Sequence, residues 1–363
     1  MIATVTTQVS EAPPARAVFE GVLLGTAVGD ALGLPLENLS PGRIARLWKG
    51  KWRMCFLFGR GMISDDTEHT LMVAQALLSH PDDVMAFQRT LAWKFRWWFA
   101  SLPAGVGLAT ARACLKLWLG FPPGKSAVHS GGSGPAMRSA ILGAYFAADA
   151  AKRREFVRAS TRLTHRGWQA ETAAMAVAEC SALAASSSSP PDISRLLSTL
   201  RELSPEPDWH QCLSHIRAGL ARKASVWDFA HVLGSENGVS GYALHVVPVA
   251  IYAWLFHQRD FKSALTAAIA CGGDTDTVGA ILGALCGASG GPGAIPREWV
   301  DDLIEWPRSV VFIRAVAQRL AEQTTSSHGL GGVRYFWPAV ILRNLIFLVV
   351  VLLHGFRRLL PPY

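Results

Sequence analysis

Apolar residues recur along this chain at spacings of three and four, and the strict alternation of a half-buried strand is almost absent. The clearest stretch starts at Arg16, where AVFEGVLLGTAVGDALG sets Gly21, Gly25, Gly29 and Gly33 at every fourth position. On a helix these glycines form one stripe nearly free of side chains, along which a second backbone can come close. Gly279, Gly283 and Gly287 repeat the device far along the chain. Neither segment reads as a membrane span, because Asp30 and Asp276 lie within or beside them. Further helices are predicted over 68–78, 84–99, 105–119, 135–153 and 170–185, then 193–203, 209–222, 225–233, 241–256 and 261–270. Loops rich in Gly, Ser and Pro separate several of them, the SSSSPP run at 186–191 being the plainest. No repeat of fixed period is present. The pattern predicts an all-α fold, a compact multi-helix domain.

Composition narrows this picture. Half of the 363 residues are apolar and 17% are charged, which allows a large core and excludes general disorder. Residues 1–15, rich in Thr, Ser and Pro, read as a disordered lead. Residues 16–325 read as one helical domain and 326–363 as a hydrophobic tail. The formal charge of +8 suits an anionic ligand or a lipid surface. No nucleic-acid-binding motif accompanies it, so no nucleic acid is expected as partner. Six cysteines without CxxC spacing, several in apolar helical context, point to a reducing, cytoplasmic compartment. The first residues lack a charged segment followed by an apolar run, so no signal peptide is read there.

Two acidic clusters carry the candidate chemistry. Ser64-Asp65-Asp66-Thr67 precedes EHTLMVAQALL, and Asp274-Thr275-Asp276-Thr277 precedes VGAILGALCGA. Helix capping uses one such residue at each start, whereas each site offers two carboxylates plus hydroxyls in apolar surroundings. Buried like charges repel, and a divalent cation resolves that conflict. All-oxygen donors point to Mg²⁺, or Mn²⁺ in its place. The glycine-striped helices border both clusters, so their packing could bring the clusters together. Glu37 follows the GDALG turn on a loop free to reach a neighbouring site. His129 to Arg138 holds a Gly/Ser loop with Pro135 early in the helix after it, and backbone N–H groups at such a start can hold a pyrophosphate. A plain flexible loop accounts for it as well. An isolated His165, within Thr164-His165-Arg166-Gly167, is more often structural than catalytic. Trp93, Trp97 and Trp98 read as core or interface aromatics.

Taken in order, GVLLGTAVGDALGLPLE, SDDTEHTL, GGSGPAMRSAILG, TRLTH, SGYALHVVPVAIYAW and CGGDTDTVGAILGALCGA resemble the ADP-ribosylglycohydrolase family over about residues 18–305. The resemblance implies an all-α domain with two Mg²⁺ ions in a cleft. It implies ligands at Ser64, Asp65, Asp66, Asp274, Asp276 and Thr277, and a glutamate at Glu37 that assists attack by water. Either Glu37 or Asp65 would take the proton. Ser130, Gly131, Gly132 and Ser133 match the loop that contacts ADP-ribose, and His165 a substrate-side histidine. Two departures stand out: Gly132-Ser133-Gly134 replaces the usual GNG, and His69 stands where an apolar residue is common. The implied reaction is Mg²⁺-dependent hydrolysis of the N- or O-glycosidic bond between ADP-ribose and an acceptor, a protein side chain or a small molecule. A non-catalytic ADP-ribose-binding module on the same fold is the alternative.

The tail lies outside that match. Residues 336–356 read FWPAVILRNLIFLVVVLLHGF, roughly 30 Å as one helix and about a bilayer core. Arg343 and Asn344 interrupt it, and the unbroken run at 345–353 is too short to cross alone. On a helical wheel Arg343, His354 and Arg357 share one side, with Phe347 and Val350 between them. One reading packs this helix on the catalytic domain or in a dimer. The other is membrane association, spanning or in-plane, with Trp337, Arg357 and Arg358 as anchors. A chain ended after Gly332 is expected to stay soluble and active.

Overall fold

A computed structural model describes residues 14–187, 189–326 and 328–358. Most of the predicted lead and the last residues of the tail lie outside the described residues. Among those described are nineteen α-helices, two short 3₁₀ turns and no strand, which bears out the all-α expectation. Eight helices place the site: α1 (Ala15–Gly33), α2 (Asp65–Ser79), α3 (Val84–Ala100), α4 (Trp168–Ser186), α5 (Ala243–His257), α6 (Thr275–Gly290), α7 (Val310–Gln323) and α8 (Pro338–Arg357).

The glycine stripes of α1 and α6 meet along their whole length. A Cβ on Gly21, Gly25 or Gly29 would stand 2.1, 2.1 or 1.9 Å from the carbonyl oxygens of Gly287, Gly283 and Gly279. The helices run antiparallel, backbone against backbone, and the C-terminus of α1 arrives at the N-terminus of α6. There the Thr275 hydroxyl donates to the Gly33 carbonyl at 2.8 Å. This pair is the centre of the core. α1 is buried from Val18 onward except for Glu20, and α4 and α5 pack on α6 from the far side. α7 covers α1 and α2.

Three local expectations change. The helix predicted over 135–153 is three pieces: Gly134–Met137, Ala140–Tyr145 and Ala150–Thr161. Arg138 turns its buried guanidinium back to the Gly134 carbonyl, the Ser139 hydroxyl takes the Pro135 carbonyl, and Asp149 caps the third piece at Lys152 N–H. Those bonds compete with continuous helix. The helix expected from Gly105 starts at Leu108, because Gly105 sits at φ +76°. α7 was not anticipated, although Phe312, Ile313, Val316, Ala317 and Leu320 make one buried face behind a Ser309 cap.

α8 docks on the rest of the fold with the side singled out on the helical wheel. Arg343, Asn344, Phe347 and Val350 are buried. Arg343 donates to Glu305 at 2.7 and 2.8 Å, to the Ile63 carbonyl at 2.5 Å and to Glu68 at 3.4 Å. Glu68 also accepts from Arg308 and Trp98. Two carboxylates and two guanidiniums thus neutralise one another out of water. Asn344 donates to the carbonyl of Ser101 at 2.8 Å.

Candidate active site

The first aspartate motif is held from outside. Asp30 of α1 accepts the Ser64 N–H at 2.9 Å, the Thr67 N–H at 3.2 Å and the Thr67 hydroxyl at 2.5 Å, so its carboxylate closes the start of α2. Ser64 is the N-cap, accepting from Asp66 N–H at 3.3 Å. Capping at α2 is therefore done by Ser64 and Asp30, which leaves the side chains of Asp65 and Asp66 free for the cleft. At α6, Asp274 occupies the N-cap position without a side-chain cap bond. Its approach is fixed by Gly272 and Gly273, at φ +71° and +81°, a left-handed turn that side chains resist. Gly273 is strapped to the Glu37 loop by Asn38 N–H on its carbonyl at 2.7 Å and by its own N–H on Leu39 at 3.0 Å.

The two motifs meet. The Thr277 hydroxyl lies 3.4 Å from Asp66 Oδ2, and Ser64 Oγ lies 3.1 Å from the same oxygen. Asp65, Asp66, Asp274 and Asp276 all have carboxyls raised above the ordinary range, first by burial; repulsion from neighbouring carboxylates adds to this at Asp65, Asp66 and Asp276. Burial likewise lifts Asp30 to about 6, against its hydrogen bonds from Thr67 and Ser64. Glu37 is half-buried and raised by burial and by Asp274, with Arg358 pulling the other way.

Asp66 Oδ1 is buried without a hydrogen-bond partner. As the side chains stand, no three His, Cys, Asp or Glu groups among the described residues converge as a chelate. The donor set instead mixes hydroxyls with carboxylates, all of them oxygen. That chemistry and the orphaned Asp66 oxygen fit a hard divalent cation.

These groups line one side of a cleft of about 680 Å³. Ser130, Gly132, Ser133 and His165 line the same cleft. Ser133 reaches Asp274 at 3.5 Å, and its N–H is held by the Gly241 carbonyl at 3.1 Å. Gly131 does not line the cleft: its carbonyl accepts from Ala243 N–H at 2.9 Å, and a Cβ there would meet the Tyr242 ring. The helix after the loop is a single turn, so the expected pyrophosphate cradle at a helix start has little dipole behind it. His165 is buried, with Nδ1 2.9 Å from Thr164 Oγ1 and Nε2 turned toward Gly132. Burial and Arg138 push it down to about 3, so the ring is neutral at physiological pH. Arg138 itself binds Thr164 Oγ1 at 2.7 Å and Gly134 O at 3.0 Å, fixing loop and histidine together.

His69 takes no part. It is buried with neither ring nitrogen hydrogen-bonded, against Trp98 and Phe95 at 4.4 and 4.7 Å. Sequence reasoning missed Asp30 and Arg138 as organisers, although both lie inside quoted motifs. It also missed Phe347 and Val351 of α8, which close one wall of the cleft. The cleft is not the largest depression, since one of about 880 Å³ lies at the end of α8. Its carboxylates single it out.

Residues 12–329 match the family model described as ADP-ribosylglycohydrolase. A protein of Archaeoglobus fulgidus described as uncharacterized is 31% identical over 314 residues, covering 84% of this chain and 96% of its own. The ADP-ribosyl-[dinitrogen reductase] glycohydrolase of Rhodospirillum rubrum is 26% identical, over 78% of this chain and 89% of its own. Among solved structures, an ADP-ribosylglycohydrolase-related protein complex superposes with a TM-score of 0.64 at 26% identity, over 86% of this chain and 99% of that one.

Proposed function

This chain belongs to the ADP-ribosylglycohydrolase family, a glycosidase-type hydrolase of ADP-ribosyl groups, and we propose that it works with Mg²⁺ held between its two aspartate motifs. Ser64, Asp65, Asp66, Asp274, Asp276 and Thr277 would hold two ions, with Mn²⁺ able to replace Mg²⁺. The carrying observation is the convergence of both motifs on Asp66, whose second oxygen is buried and unpartnered. When bound, such ions hold ribose hydroxyls and lower the pKa of attacking water.

The chain's own residues supply the rest. Glu37, with its carboxyl raised above the ordinary range by burial and by Asp274, is placed to accept a proton from water, and Asp65 is the other candidate base. Neutral His165 offers Nε2 to the substrate side, while Ser130, Gly132 and Ser133 border the bound ADP-ribose. Phe347 and Val351 exclude water from the developing oxocarbenium-like centre. The substrate is an ADP-ribosylated protein side chain or small molecule, joined through an N- or O-glycosidic bond.

The test is thermal melting with Mg²⁺ titrated in, beside hydrolysis of ADP-ribosyl-arginine and ADP-ribosyl-serine. Mg²⁺ at a hundredfold over its dissociation constant should stabilise the wild type by about 2.7 kcal/mol for each ion bound. Asp66→Asn and Asp276→Asn should fold, lose that shift and lose hydrolysis. Glu37→Gln should keep the shift and lower kcat far more than ADP-ribose affinity. Full turnover in excess chelator, or in either aspartate variant, overturns the metal assignment.

A further inference from the structure

α8 shows two unlike faces. The inner one carries Arg343, Asn344, Phe347 and Val350 into the domain. The outer one presents Leu342, Ile346, Val349, Leu353 and Phe356, each 49–64% exposed, with no polar side chain on it between Leu342 and Leu353. Such a continuous bare apolar strip is unusual on a soluble surface and marks a binding face.

The strip has a collar at each end. Trp337, at its start, sits edge-on to Trp97 at 5.3 Å, and Trp97 contacts Trp93 and Trp118 at 5.8 Å each. Trp93 and Trp118 are themselves exposed. At the other end lies the 880 Å³ depression, lined by Lys49, Lys51, Arg53, Arg357 and Arg358 together with Leu353. The carboxylate there, Asp302, is paired with Arg60 at 2.9 Å.

We propose that the outer face of α8 lies in the plane of an anionic lipid surface, with its apolar residues in the acyl boundary, the tryptophans at headgroup level and the basic depression on lipid phosphates. Charge complementarity selects this occupant: Lys49, Lys51, Arg53 and Arg357 line the depression beside an Arg358 held on the carbonyls of Pro35 and Glu37, and basic groups near an anionic membrane attract it additively. A second copy of the chain would bring its own cationic depression, and the strip carries no carboxylate to meet it. Spanning is opposed by the inner face. It would pull Arg343 from Glu305 and Glu68 and leave both carboxylates buried without it. Leu108, 66% exposed, lines the catalytic cleft together with Phe347 and Val351 of α8.

The experiment is co-sedimentation of the full chain with phosphatidylcholine vesicles, with and without phosphatidylglycerol. Binding is expected only with phosphatidylglycerol, and Lys51→Glu with Arg53→Glu should weaken it at least about tenfold at physiological salt. Ile346→Glu with Val349→Glu should abolish it while the melting curve and hydrolysis of soluble substrate stay unchanged. High salt followed by alkaline wash should release the bound protein. Equal binding to uncharged vesicles overturns the proposal. So does retention through the wash, which means spanning. So does a wild-type dimer that ignores vesicles and dissociates in the Ile346/Val349 variant, which assigns the face to a second copy. Hydrolysis is read separately, so failure of the active-site reading leaves the vesicle result interpretable.

Discussion

α1 and α8 are both long and apolar enough to cross a bilayer, yet the most apolar window of the first is 89% buried inside the protein and that of the second 33%. The difference lies in side-chain size and not in hydrophobicity. α1 carries glycine wherever it meets α6, so the two backbones touch and its remaining faces are covered by other helices. α8 carries Leu, Ile, Val and Phe around its circumference and docks along one side only. Each helix also has a polar interruption, and in each it marks the point of attachment. Asp30 holds the Ser64 and Thr67 N–H groups, whereas Arg343 holds the Ile63 carbonyl and Glu68. Helices from opposite ends of the chain thus clamp the same segment, the one that bears Asp65 and Asp66.

The contrast is broken most severely at the glycine seam. A side chain at Gly29 would overlap the Gly279 carbonyl, a backbone atom that cannot move aside. Gly29→Leu should leave no cooperatively folded protein by circular dichroism, well beyond the about 1–3 kcal/mol of ordinary overpacking. Gly355→Ala in α8 meets open space and should leave the melt unchanged or raise it slightly, since alanine favours helix by about 1 kcal/mol. Equal behaviour of the two variants would refute the difference in packing.

Next in size is the bolt of α8. Arg343→Met leaves Glu305, 1% exposed, without its guanidinium. Breaking a buried pair this way costs about 3–5 kcal/mol, measurable as a lower urea midpoint. On the same ground a chain ended after Gly332 should be less stable and less active than the full chain, against the expectation from the sequence. Ending there removes Arg343, strips a wall from the cleft, and uncovers Leu34, Phe56 and Met62, which pack with Phe347 and Val350.

What was legible follows from the range of each signal. The glycine stripes, the helical periods and the paired aspartates are local patterns, and the antiparallel seam joined the two motifs as their flanking glycines suggested. Partners far apart in sequence were not legible. Asp30 acts on residues 34 and 37 positions away, and Arg343 on residues 38 and 275 positions away. Within its own helix Arg343 reads as an obstacle to insertion in a membrane; only its partners make it an attachment. The break after Met137 was hidden for a similar reason, since Arg138 leaves the helical line to reach Ser160 and Thr164.

The smallest expected effect lies where the two helices come together. Arg358, just past α8, donates to the carbonyls of Pro35 and Glu37 at 3.0 and 2.8 Å, so the end of the tail steadies the loop that follows α1. Its charge also favours the ionised form of Glu37, opposing burial and Asp274. Arg358→Gln keeps polarity while removing the charge, and the site is partly open to water, so stability should hardly change. Loosening of the loop should cost about 1 kcal/mol in the transition state, roughly fivefold in kcat, with little effect on KM. The sign of the pH effect follows from the lost cation: the Glu37 carboxyl rises further, and a base works only above its pKa. The acid limb of kcat/KM should therefore move to higher pH in the variant. A fall in kcat with the acid limb unmoved would leave Arg358 as a strap on the loop and assign the base to Asp65.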